Sequence, residues 1–140
     1  PVIDEHANTA QPTDPPRRSI LPLRWAINVG YAILLVVMAV MPHINSVAVS
    51  LVPDWLAHAS AYGIQAGLLF WALSPILGGV GALVAGILGA GLFGAATEAL
   101  QILQPERTVE LRDVIANVVG AIVVGLSIAL VTRSGSRRSR

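Results

Sequence analysis

The chain has 140 residues, of which 54% are hydrophobic and only 12% charged; its formal net charge is +1 and it contains no cysteine. That balance lies outside the range of soluble globular domains. The lack of cysteine excludes disulfides and thiolate metal sites, and what remains is a small all-α membrane protein.

Residues 1–24 are polar and hold five of the nine prolines, so they read as a flexible N-terminal tail. The tail ends in Arg17, Arg18 and Arg24, ahead of the first apolar run, from about Trp25 to Met41. That run is too long for a signal-peptide core and lacks a small-residue cleavage site, which predicts an uncleaved helix. A second run extends from Asp54 to about Leu73, a third from about Ile76 to Leu103, and a fourth from about Asp113 to Val131. Each approaches the roughly 20 residues needed to cross a bilayer as a helix. None alternates as a membrane β-strand would. The pattern therefore predicts a bundle of four transmembrane helices over 25–132, followed by a basic tail, 133–140, with Arg133, Arg137, Arg138 and Arg140.

Both arginine clusters flank apolar runs, so positive-inside bias puts both termini in the cytoplasm, and an even number of crossings agrees. Such arginines set topology or meet lipid headgroups; they do not point to nucleic acid. Trp25 and Trp55 fall near opposite interfaces, as belt residues do. His6 and His43 fall in the tail and in a loop.

Four crossings bring VPDWLAHASAYG, TEALQ and ELRDVIANVVG to one, extracytoplasmic end. Asp54, His58 and Tyr62 recur every fourth residue, Glu98 and Gln101 are three apart, and Asp113 and Asn117 four apart, so each helix offers one polar stripe. Asp54 and Asp113 stand at helix starts, where a carboxylate caps free N–H groups and meets the favourable end of the dipole. Glu98 differs, because it sits inside the third run near its C-terminal end, where the dipole disfavours a negative charge. A carboxylate at the bilayer centre costs about 2.5–3.5 kcal/mol on insertion scales, so Glu98 needs a partner, a proton or a wet cavity. His58, Arg107 and Arg112 are the candidates. An Asp/His pair four apart, such as Asp54 and His58, is also suited to a divalent ion.

Small residues lead to this end. Gly78, Ala82, Gly86, Ala90 and Gly94 step by four towards Glu98, and Asp113 and Asn117 are followed at the same step by Ala121, Gly125 and Ala129. Such tracks let helices approach closely in lipid.

The segment DWLAHASAYG, followed by EALQILQPERTVELRDVIANVVGAIVVG, resembles the VanZ-like family of small membrane proteins. The family pattern is D-x-x-x-H-x-x-x-Y, E-x-x-Q, a proline-arginine loop and D-x-x-x-N-x-x-G, matched here over about residues 50–125 by Asp54, His58, Tyr62, Glu98, Gln101, Pro105, Arg107, Asp113, Asn117, Gly120 and Gly125. Trp55 stands where many members carry lysine, and Glu106 where many carry glycine. The resemblance implies a bacterial inner-membrane protein of a family associated with resistance to the glycopeptide teicoplanin, without a defined reaction.

No nucleophile elbow, phosphate-cradling loop or HExxH pattern accompanies the cluster, so the reading is non-enzymatic and implies no cofactor. Two functional classes fit. In one, Asp54, His58, Tyr62, Glu98, Gln101, Arg107, Arg112, Asp113 and Asn117 bind a membrane lipid or glycopeptide-like envelope component. In the other they are internal glue in an accessory subunit packed against a larger membrane protein complex. A transporter fits less well without an inverted repeat.

Overall fold

The computed structural model describes residues 20–41, 52–102 and 110–138, with side chains to residue 132. Three helices form it: α1, Leu21–Val40; α2, Asp54–Gln101; and α3, Leu111–Arg138. Four separate helices were expected from the sequence pattern, and the difference lies at residues 73–76, where helical bonding does not stop. Pro75 sits inside α2, and the break comes at Gly78, with φ 70° and ψ 174°. A left-handed φ costs an L-residue about 1–2 kcal/mol, a penalty that glycine escapes.

A straight helix of 48 residues would be about 72 Å long. Instead the chain reverses at Gly78, and the segments 54–77 and 79–101, here termed the first and second arms, lie side by side. A Cβ at Gly86 would come within 2.9 Å of the Ala66 carbonyl oxygen and 3.2 Å of the Phe70 nitrogen. Near the other end of the pair, Tyr62 of the first arm meets Thr97 of the second.

Helix α1 begins at Leu21, earlier than the expected Trp25, because a proline in the first turn has no needed N–H to lose and Pro22 stands there. The helix lies against the first arm. Tyr31 donates its hydroxyl hydrogen to the Ala61 carbonyl at 3.1 Å, and Arg24 Nη1 donates to the Trp71 carbonyl at 2.8 Å. That carbonyl is available for a physical reason: Pro75, four residues on, has no N–H to give it. The Arg24 guanidinium also stands 5.0 Å over the Trp71 ring. Between these two contacts Asn28 falls level with Gln65, and both are buried. Asn28 Nδ2 and Gln65 Oε1 have no partner among the described residues.

The interior is made of small residues. Ala66, Ala72, Ala82, Ala90 and Ala121 are buried, while Val80 and Leu92 are 76% and 73% exposed. Large apolar side chains on the outside and small ones between backbones suit a lipid solvent, where close helix contact replaces the hydrophobic drive. Each helix is long and apolar enough to cross a membrane. Most of the expected small tracks face inward: Ala82, Gly86, Ala90 and Gly94 lead to buried Glu98, and Asp113, Asn117, Ala121 and Gly125 are buried in α3, whereas Gly78 is exposed and Ala129 half-buried.

These tracks also fix the register of α3. A Cβ on Gly120 would overlap the Ala59 carbonyl, and one on Gly63 would stand 2.8 Å from Val124 Cγ2, so α3 runs parallel to the first arm. Gly94 lies under Asn117 and Gly125 under Ile87, which makes α3 antiparallel to the second arm. Helix α3 continues to Arg138, through most of the stretch read as a basic tail.

Candidate functional site

This register gathers the start of the first arm, the end of the second and the start of α3 at one end of the bundle. There His58 Nδ1 lies 3.1 Å from Asn117 Oδ1. An amide oxygen only accepts, so the bond requires the proton on Nδ1. Asn117 is fully buried, held over Gly94, where a Cβ would come within 2.9 Å of its Cβ and Nδ2. The other imidazole nitrogen, Nε2, faces Asp54 Oδ1 at 4.0 Å. Asp54, His58 and Asp113 each offer one ligand atom, and these atoms lie within 4.8 Å of one another. Asp113 is 5% exposed, whereas the Asp54 side chain is 62% exposed, so the group opens outward past Asp54.

A second layer lies beneath. The Tyr62 ring stacks on His58, with centroids 6.4 Å apart and planes 20° apart. The Tyr62 hydroxyl bonds Thr97 Oγ1. Thr97 can give its one hydroxyl hydrogen to the Phe93 carbonyl at 3.1 Å or the Gly94 carbonyl at 2.9 Å, and when it does Tyr62 is the donor to Thr97. Glu98 is 2% exposed, and its Oε1 accepts from the Glu110 amide at 3.4 Å. Gln101, one turn on, is buried too.

Several expectations change here. Of the three candidate partners of Glu98, His58 bonds Asn117 and faces Asp54. Arg112 is exposed, and Arg107 lies outside the described residues. Asp54 does not cap α2: the cap position is Pro53, without a side-chain bond. Asp113 is the third residue of α3, and its Oδ1 is buried without a partner among the described residues. Thr97 was overlooked; its signal was a hydroxyl one residue before Glu98 on an otherwise apolar segment. Trp55 is exposed beside Asp54, and Trp25 is half-buried at the opposite end.

No family model, curated protein or solved structure matches this chain.

Proposed function

We propose that this is a VanZ-like integral protein of a bacterial cytoplasmic membrane whose polar end binds a lipid-linked or glycopeptide-like component of the cell envelope. It crosses the bilayer four times, with both termini in the cytoplasm and the polar end outside. Two features support that topology. Each arm of α2 is about 35 Å long at 1.5 Å per residue, a match to a hydrocarbon layer of about 30 Å. Arg24 and the last turns of α3, with Arg133, Arg137 and Arg138, stand at the end opposite the polar cluster, as positive-inside bias requires.

The binding role rests chiefly on one observation: two buried polar atoms of the cluster make no hydrogen bond among the described residues. Asp113 Oδ1 and Asn117 Nδ2 have no partner among the described residues. Polar groups that serve only as glue close their hydrogen bonds on one another, because an open buried group costs about 1–3 kcal/mol. Groups that serve a ligand can leave them open for it, and these two lie at the end that opens outward past Asp54, unlike Asn28 and Gln65 between α1 and the first arm.

The test is a deletion strain of the parent organism challenged with lipid-directed glycopeptides. Its sensitivity changes, and wild-type protein restores it, whereas Asp113→Asn at equal membrane abundance does not. Unchanged sensitivity on deletion refutes the envelope-binding role.

A further inference from the structure

We propose that Asp54, His58 and Asp113 bind one divalent transition-metal ion of the zinc class at the polar end of the bundle. The inference deepens the envelope-binding reading and rests on it, since the ion completes the same site.

The convergence of three ligand atoms, one of them from a buried carboxylate with an oxygen unpartnered among the described residues, carries the proposal. With His58 Nδ1–H donated to Asn117 Oδ1 at 3.1 Å, the neutral imidazole presents its Nε2 lone pair. That lone pair faces Asp54 Oδ1 at 4.0 Å, with an Asp113 oxygen in the same group of ligand atoms. With the ring neutral, three acceptors converge, and among the described residues no donor stands between them. Asp113 is 95% buried by its 5% exposure, and its Oδ1 has no partner among the described residues. Acceptors so placed repel unless something positive stands among them. A divalent cation meets that need and offsets the two carboxylate charges.

The surroundings are those of a metal-binding histidine. Imidazole ligands donate their second N–H to a fixed acceptor that sets tautomer and ring orientation. Asn117 does this from a fully buried position over Gly94. Two ligand atoms about 2.1 Å from a tetrahedral ion lie about 3.4 Å apart, so the 4.0 Å gap between His58 and Asp54 closes with a shift of about 0.6 Å. Asp54 can make it, being the first residue of α2 with a largely exposed side chain. Water or an oxygen of the envelope ligand fills the remaining coordination. An imidazole beside two carboxylates favours zinc-class ions over magnesium or calcium.

The experiment uses the full chain in detergent, without a polyhistidine tag, stripped with chelator and titrated with Zn2+. Calorimetry and elemental analysis should give one ion per chain. Asp54→Asn and His58→Ala should abolish stoichiometric uptake, and Asn117→Ala should weaken it about 10–100-fold. Helical circular dichroism and a single elution peak establish that each variant is folded; the exposed position of Asp54 makes Asp54→Asn the variant least exposed to a folding defect. No uptake by folded wild type, or uptake unaltered in Asp54→Asn and His58→Ala, overturns the proposal. Zinc uptake with unchanged glycopeptide sensitivity on deletion removes the envelope reading and leaves the metal site. Changed sensitivity without zinc uptake does the reverse.

Discussion

Gly120 is where the bundle is least able to accept an added atom. A Cβ there would stand 2.6 and 2.7 Å from the Ala59 carbonyl carbon and Cα, besides overlapping the carbonyl oxygen. Carbon atoms pack at about 3.5–4.0 Å, so Gly120→Ala must part α3 from the first arm by about 1 Å. The neighbours of those two residues are His58 and, one turn back, Asn117, whose bond would stretch from 3.1 Å to about 4 Å and be lost. Overpacking costs about 1–3 kcal/mol and an interhelical hydrogen bond in lipid about 0.6 kcal/mol, for a total of about 2–4 kcal/mol. Gly30→Ala is the matched control, because nothing lies within 4 Å of its added Cβ; it should be neutral or gain up to about 1 kcal/mol. Reversible unfolding in mixed micelles by added dodecyl sulfate, followed by fluorescence of the three tryptophans, measures both. If Gly120→Ala unfolds at the same dodecyl sulfate fraction as Gly30→Ala, the close packing of α3 on the first arm is refuted.

Three further outcomes follow from particular bonds. Tyr62→Phe and Thr97→Val should each destabilise by about 0.5–1.5 kcal/mol, and the double variant should lose little more than either single one, since they share one bond; additive losses in the same unfolding assay contradict this. Arg24→Gln should cost about 1 kcal/mol in the wild-type background and less in Pro75→Ala, where residue 75 regains an N–H for the Trp71 carbonyl; an equal cost in both backgrounds refutes the link. Asn28 Nδ2 and Gln65 Oε1 are buried between α1 and the first arm with no partner among the described residues, so Asn28→Leu and Gln65→Leu should each cost less than about 1 kcal/mol, and a loss above about 3 kcal/mol for either would contradict this.

Much of the fold was legible because lipid imposes simple rules. The small tracks from Ala82 to Glu98 and from Asp113 to Gly125 proved to be buried, since in a membrane close approach selects glycine and alanine. The break in α2 was less legible. Pro75 is the stronger sequence signal, yet the helix passes through it, with Arg24 taking up the Trp71 carbonyl. Gly78 lies on the small track by spacing and is instead the turning point. At the polar end, helix periodicity grouped Asp54, His58, Asp113 and Asn117 correctly in space. Which of them bond one another depends on rotation and register between helices, and one helix's spacing does not encode that. Hence the spacing left His58, Arg107 and Arg112 as equal candidates beside Glu98 and did not reveal the bond between His58 and Asn117. Thr97 escaped notice because a threonine can hide in a membrane helix by bonding its own backbone, as it does to Phe93 and Gly94.

Whether the polar end is a binding site is decided by native mass spectrometry of the full chain extracted from its own membranes in mild detergent, with lipid analysis of the same sample. The account requires a monomer or small oligomer that retains an envelope lipid, lost in Asp113→Asn and in Glu98→Gln. A stoichiometric assembly with larger membrane proteins, with no retained lipid, would contradict it and make the cluster the internal glue of an accessory subunit.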